Sequence, residues 1–140
     1  MAAIKSYTNL EQSKKLSEIL PLESADMCYK CIEDDPYDIV CKPYSEWKKE
    51  YKGLLIRGDA NVIPCWSLAA LLGVLPFHLI VNNQRFAFSM HKGLNKGGET
   101  YMFRYNVFNT DVCLYATDYY NNPIDACVKL ILKLHELNLL

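Results

Sequence analysis

The residues best suited to chemistry are four cysteines in the first half of the chain. Cys28-Tyr29-Lys30-Cys31 is a Cys-x-x-Cys pattern, Cys41 follows ten residues after Cys31, and Cys65 lies further along. Two thiolates at this spacing can approach one zinc ion at about 2.3 Å, and a structural zinc site needs four ligands. Cys28, Cys31, Cys41 and Cys65 are therefore the candidate metal ligands, with a histidine as a substitute for a later cysteine. Thioredoxin-like redox chemistry and reduced structural thiols remain open as alternatives.

The three histidines are candidates for the base that would activate a cysteine nucleophile. They are His78, His91 and His135. Such catalysis needs the base within hydrogen-bond reach of the thiol. The spacing allows His78 and His91 to face each other across a hairpin, but nothing in it brings a cysteine beside them. No catalytic residue is therefore assigned, and the sequence favours a protein that is not an enzyme.

Two further segments have the composition of a ligand loop without its spacing. Glu33-Asp34-Asp35, with Asp38, lacks the glycine and the later bidentate glutamate of a calcium loop. Residues 93–98 contain glycines and a lysine, but they lack the strand–loop–helix setting of a phosphate loop. We interpret the first as a solvated acidic loop and the second as a hairpin loop.

The composition predicts one globular domain over residues 1–140. Hydrophobic residues make up 51% and charged residues 22% of the 140 residues, enough to build a sizeable core. The formal net charge is −1, whereas domains that hold nucleic acid usually carry a clear positive excess. Nucleic acid is therefore a disfavoured partner. Ten tyrosines, which have an apolar body and a polar tip, suit a sheet edge or a protein contact surface.

The sequence predicts a cytoplasmic address. Its first residues lack the basic start and apolar core of a signal peptide. The longest apolar stretch, residues 63–81, is interrupted by two prolines and a histidine and is a poor membrane span. In the cytoplasm the six cysteines should be mostly reduced.

The N-terminal half is predicted to begin with one helix and to continue irregularly. Thr8-Asn9-Leu10-Glu11 matches a capping box, with Thr8 as N-cap of a helix over residues 9–20. Residues 21–62 are punctuated by prolines and glycines and are predicted to be an irregular segment. Within it, residues 37–41 suit a short strand and residues 44–51 one or two helical turns.

A buried central helix is predicted over residues 64–75. Proline is well tolerated at the first position of a helix, and Pro76 would force the chain out of it. Between the two prolines only Ser67 is polar, so no side of this helix is suited to water.

Alternating side chains then predict a three-stranded antiparallel meander closed by a C-terminal helix. Asn82-Asn83 is the first tight turn, and the alternation places Phe86 on one face of the hairpin and Ser89 and His91 on the other. Asn122 and Pro123 mark the start of a helix over residues 123–137 that packs on the sheet. The outer leucines of this helix are a candidate partner surface. The predicted fold class is thus α+β, with an N-terminal helix, a buried central helix, the meander and the C-terminal helix.

The same order of elements occurs in double-stranded-RNA-binding domains. Those domains place lysines at the start of the last helix to hold phosphates. Here Asp125 stands near that start, which disfavours RNA binding.

Three segments resemble small uncharacterised proteins of gut Bacteroidales, many of which lie in prophages or other mobile elements. The segments are residues 19–27 (ILPLESADM), 63–72 (IPCWSLAALL) and 122–127 (NPIDAC). The resemblance implies a bacterial or phage setting. It implies no activity and no site residues.

We therefore expect a small non-enzymatic protein-binding or regulatory module of a bacterial or phage genome. Its partner would be another protein or a second copy of the chain, and no cofactor is expected. The alternative is a zinc-binding domain or small enzyme that uses the segment from Cys28 to Cys41.

Overall fold

The structure, a computed structural model, describes residues 5–32, 38–40, 46, 60–108 and 110–140 and has an α+β fold. The helices are α1 (Leu10–Ser17), a 3-10 turn (Leu22–Ser24), α2 (Leu68–Val74) and α3 (Pro123–Glu136). The strands are β1 (Met27–Ile32), β2 (Asp38–Val40), β3 (Ala60–Cys65), β4 (His78–Val81), β5 (Gln84–Asn95), β6 (Gly98–Asn106) and β7 (Cys113–Ala116). No helix in the described ranges has the length and apolar character needed to cross a bilayer.

Contacts divide the chain into two compact units, and each is described by itself. One unit is Ser6–Leu71, and the other is Leu72–Leu140 with Met1–Lys5. The prediction of a single domain stays a prediction.

Helix α1 confirms the predicted N-terminal helix, but its cap lies one residue later than expected. Asn9 is the N-cap, and its side chain accepts a 2.8 Å hydrogen bond from the amide of Gln12. The Gln12 side chain accepts a 3.1 Å bond from the amide of Asn9, which completes a capping box. Thr8 does not cap, because its hydroxyl is buried 2.7 Å from that of Ser13.

The unit Ser6–Leu71 contains a three-stranded antiparallel sheet with the order β2-β1-β3. Strand β2 confirms the short strand predicted over residues 37–41, whereas β1 was not predicted within the irregular segment. The helical turns predicted over residues 44–51 lie outside the described residues except for Glu46. The core of this unit contains Met27, Tyr29 and Cys65.

Pro64 belongs to a strand, so the prediction that it begins the central helix was wrong. In β3 it pairs with Cys28, and β3 is an edge of the described sheet, where a residue without an amide hydrogen is tolerated. The helix begins after Ser67, whose Oγ accepts a 3.2 Å hydrogen bond from the amide of Ala70. Within α2 only Leu71 is buried, so the helix is not enclosed on all sides as expected.

The second unit contains a four-stranded antiparallel meander with the order β4-β5-β6-β7, one strand more than predicted. Asn82 and Asn83 form its first turn with φ values of 52° and 64°, the left-handed conformations of a tight hairpin turn. The glycine-rich segment predicted as a loop is mostly strand, because β5 runs to Asn95 and β6 resumes at Gly98.

Helix α3 confirms the predicted C-terminal helix and contacts β6. Asn122 caps it, and Pro123 occupies its first turn. The predicted apolar stripe is buried and comprises Ile124, Cys127, Val128, Ile131 and Leu134. Leu130 is buried as well, so the exposed large apolar side chains at this end are Leu137 and Leu140.

Candidate functional site

Side chains of β5 and β6 point alternately toward helix α3 and toward the opposite face of the sheet. Tyr105 is fully buried and pairs with Tyr115, whose ring lies under the Lys133 ammonium of α3 at 6.0 Å. The residues that alternate with Tyr105 along β6, together with their partners on β5, form the opposite face of the sheet, which we call the outer face. It carries Ala87, Ser89, His91, Arg104 and Asn106.

A pocket of about 470 Å³ lies on the outer face, within the unit Leu72–Leu140. This volume falls in the range of about 300–1,000 Å³ that is typical of small-ligand sites. Two neighbouring strands and the loop that follows β6 form its walls. The lining residues are Ala87, Phe88, Ser89, His91, Arg104, Asn106, Phe108, Thr110 and Asp111.

The register of β5 and β6 assembles the polar floor of this pocket. Ser89 lies directly opposite Arg104 across the two strands. The Ser89 hydroxyl donates a 3.1 Å hydrogen bond to Asn106 Oδ1 and lies 3.3 Å from His91 Nε2. Asn106 Nδ2 in turn donates to the carbonyl of Thr110 at 3.2 Å, which ties the loop to the strand. These contacts hold the polar groups on rigid strands, as a precise binding site requires.

Arg104 is a cation without a counterion in the described part of the chain. Its Nε is buried and has no hydrogen-bond partner there. The ion pairs formed among the described residues all use lysine, and Asp111, although it lines the same pocket, is not in an ion pair with Arg104. A buried donor left unsatisfied costs about 1–3 kcal/mol, and more when it is charged. The pocket therefore presents a guanidinium group that an acceptor would stabilise.

The surroundings of His91 favour its neutral form. Burial lowers its pKa below the ordinary value, and the positive charge of Arg104 lowers it further. The charged lining of the pocket then consists of one cation, Arg104, and one anion, Asp111.

Apolar groups form the other wall. Ala87 lines it from β5, and Phe108, which is 76% exposed, lies at its rim. The ring of Phe88 stacks on Phe103 on the opposite face of the sheet, so it does not form this wall. Phenylalanine and arginine are both enriched in protein interfaces relative to the rest of the surface.

The pair formed by Ser89 and His91 is not arranged for nucleophilic catalysis. A hydroxyl has one proton, and that of Ser89 is directed to Asn106 Oδ1, while His91 Nε2 lies 3.3 Å from the same hydroxyl oxygen. An activated serine needs the opposite arrangement, with its proton directed to the base.

The predicted metal ligands lie in the other unit or outside the described residues. Cys28 is buried in β1, Cys65 is buried at the end of β3, and Cys31 lies in β1 opposite Asn61. Because a strand rises about 3.3 Å per residue, positions 28 and 31 are about 10 Å apart along β1. Burial raises the pKa of the Cys65 thiol, which opposes the thiolate form that zinc requires.

Cys41 lies outside the described residues, so the four-cysteine site stays a prediction. Among the residues that are described, no group of three or more His, Cys, Asp or Glu side chains could hold a metal ion.

The two hairpin histidines do not face each other as predicted. His78 pairs with Ala87, and His91 pairs with Met102 on the opposite side of β5. Alternation in the sequence correctly placed Ser89 and His91 on one face, but it gave no reason to single out Arg104. The sequence feature that could have identified Arg104 as a site residue is its position among the residues that alternate with Phe103 and Tyr105.

Comparison of the chain with protein-family models, with curated proteins and with solved structures finds no match. The functional assignment therefore rests on the pocket itself.

Proposed function

We propose that the chain is a non-enzymatic binding module that engages a partner protein through the outer-face pocket. The observation that carries the proposal is the Arg104 guanidinium, which has no counterion among the described residues, in an open pocket with an aromatic rim. Arginine and aromatic residues are enriched among the side chains that contribute most to protein binding. A bacterial or phage regulatory role agrees with this proposal, since such a role needs recognition rather than catalysis.

The outer face supports the proposal better than the surface of helix α3. The leucines that would have widened the apolar surface of that helix include Leu130, which is buried. The pocket, by contrast, combines an exposed phenylalanine with fixed polar groups, and this combination provides both affinity and orientation.

A library of random peptides, selected on the full chain, tests the proposal. Phe108→Ala should weaken the selected peptides at least tenfold by calorimetry, because it removes the rim of the pocket. Phe77→Ala is the matched control, because Phe77 is 83% exposed and does not line the pocket. This control should change affinity less than twofold.

The proposal fails if selection yields no peptide that binds the protein in solution. It also fails if the two phenylalanine substitutions weaken the peptides equally. Circular dichroism of both variants establishes that each retains the native fold.

A further inference from the structure

We infer that the outer-face pocket is a carboxylate site, in which Arg104 holds a carboxylate attached to an apolar group, such as the C-terminus of a partner protein that ends in an apolar residue. The part of this inference that concerns a partner's C-terminus rests on the proposed function. The preference for an apolar carboxylate rests on the pocket alone.

The charge on the floor of the pocket selects an anion. The guanidinium of Arg104 has no anionic partner among the described residues, and its buried Nε–H has no acceptor. A carboxylate binds a guanidinium edge-on through two parallel hydrogen bonds. Because Arg104 lines the pocket, a carboxylate bound there would form such a pair with its guanidinium.

The balance of charges favours a singly charged ligand. Arg104 provides one positive charge, and the carboxylate of Asp111 lies in the same lining. A dianion such as phosphate would be repelled by Asp111 more strongly than a monoanion and would find a single arginine to neutralise its two charges. A monocarboxylate would be matched by Arg104 alone.

The shape and lining of the pocket favour an apolar group attached to that carboxylate. Ala87 and Phe108 provide the apolar wall beside the polar floor. The volume of about 470 Å³ is larger than a bare carboxylate needs and accommodates an aromatic or branched side chain as well. An apolar group that leaves water on this wall adds affinity in proportion to the area it buries.

Titration of the full chain with phenylacetate, followed by ¹H–¹⁵N NMR, tests the site. The amide signals of Ser89, His91 and Arg104 should shift in a saturable way. Phenylacetamide, the neutral analogue of the same shape, should bind at least tenfold more weakly. Inorganic phosphate should also bind at least tenfold more weakly.

Two arginine substitutions provide the matched comparison on the protein side. Arg104→Met should weaken phenylacetate at least tenfold. Arg85→Met should change it less than twofold, because Arg85 is exposed on the neighbouring strand β5 and does not line the pocket. Since the comparison of phenylacetate with phenylacetamide uses the unmodified protein, the test remains decisive if Arg104→Met does not fold.

The inference is overturned if phenylacetamide or phosphate binds as tightly as phenylacetate, or if none of the three binds. It is also overturned if Arg104→Met and Arg85→Met have the same effect in folded variants.

A hexapeptide with a free C-terminal phenylalanine, compared with its amidated form, distinguishes the source of the carboxylate. Tighter binding of the free acid supports the C-terminus of a protein. Binding of phenylacetate without binding of either peptide supports the carboxylate site and overturns its assignment to a partner's C-terminus. Library peptides that depend on Phe108 but bind equally well as amides overturn the assignment to a partner's C-terminus and leave the proposed function standing.

Discussion

The Ser13 hydroxyl of α1 lies 2.7 Å from the Thr8 hydroxyl, and neither side chain is exposed to solvent. The Thr8 Oγ also accepts a 3.2 Å hydrogen bond from the amide of Trp66, and the Thr8 carbonyl accepts a 2.6 Å bond from the Tyr29 hydroxyl. Thr8 thus links the start of α1 to strand β1 and to the residue after β3 through buried polar contacts, which are costly to leave incomplete.

We predict that Ser13→Ala lowers the free energy of unfolding by about 1–2 kcal/mol, because it deprives the buried Thr8 hydroxyl of a partner. Ser17→Ala is the control on the same helix, since the Ser17 hydroxyl donates to the Lys14 carbonyl at an exposed position. It should change stability by less than about 0.5 kcal/mol. Urea unfolding measures both, and equal losses would contradict a special role for the buried pair.

The start of helix α3 allows a second test substitution with a matched control. Asn122 Oδ1 accepts a 2.8 Å hydrogen bond from the amide of Asp125, and Asp125 also forms a 2.6 Å ion pair with Lys5. Asn122→Ala should cost about 1 kcal/mol because it removes this cap. It should also speed hydrogen exchange at the amide of Asp125.

The neighbouring Asn121 is exposed and is not the cap residue of α3, so Asn121→Ala is the control. Its effect on stability should stay below about 0.5 kcal/mol. If Asn121→Ala is as costly as Asn122→Ala, the cap assignment is wrong.

Local signals explain why α3 was predictable and the start of α2 was not. The Asn-Pro start and the apolar stripe of α3 lie within one element, so the sequence contains all that its helix needs. Pro64 is compatible with a first helical turn and with an edge strand, and pairing of β3 with β1 decides between them. Such pairing joins residues far apart in the sequence, and here it overrode the local preference of Pro64 for a first helical turn.

The glycine-rich segment, residues 93–98, is a second case in which contacts with distant residues override a local sequence preference. Glycines predict a loop, yet Gly93 lies within β5, where an added Cβ would be 3.1 Å from Thr100 Oγ and 3.7 Å from the Tyr119 ring. This close packing comes from elements later in the chain. Gly98, with φ of 107°, is the glycine whose conformation marks the turn itself.

The candidate site was predictable in part. Alternation along a single strand is enough to place Ser89 and His91 on one face, since side chains alternate with a period of two. The pairing of Ser89 with Arg104, by contrast, depends on where the turn between β5 and β6 falls. A shift of one residue would have moved Arg104 to the other face.

The titration of His91 tests the electrostatics of the pocket without a ligand. Its pKa is lowered first by burial and then by the charge of Arg104, so Arg104→Met should raise it toward the ordinary value of about 6.5. The NMR titration of the ring protons measures this shift. The pKa of His91 is lower in the folded state than in the unfolded state, so protonation of His91 favours unfolding. The free energy of unfolding that His91 contributes is therefore fully present above about pH 6.5 and should decline as pH falls below that value.

Arg85→Met is the control for this titration. Arg85 is exposed, and its charge is not among the causes of the lowered pKa of His91. It should leave the titration nearly unchanged, and an equal shift in both variants would show that Arg104 has no special proximity to His91.

Alkaline stability should depend on Cys127. Burial in α3 raises the pKa of this thiol to about 12, well above the ordinary value for a cysteine. Between about pH 9 and 12 the unfolded chain therefore loses a proton that the folded chain keeps. Stability present at neutral pH should be lost as pH rises, by up to about 1.4 kcal/mol per pH unit from this group.

Cys127→Ala should flatten this dependence, although it also lowers stability at pH 7 by removing a buried sulfur. The control is Cys113→Ala, because Cys113 is an exposed cysteine of β7. Urea unfolding at about pH 7, 9, 10 and 11 in the presence of a reductant gives the slope for each variant. Tyr29, whose pKa is raised chiefly by burial, adds the same decline in every variant. The pKa of Tyr105 is raised by burial and then by the charge of Cys127, so Cys127→Ala also reduces the contribution of Tyr105, which flattens the dependence in the same direction. If Cys127→Ala declines as steeply as Cys113→Ala, the buried thiol does not contribute as the structure implies.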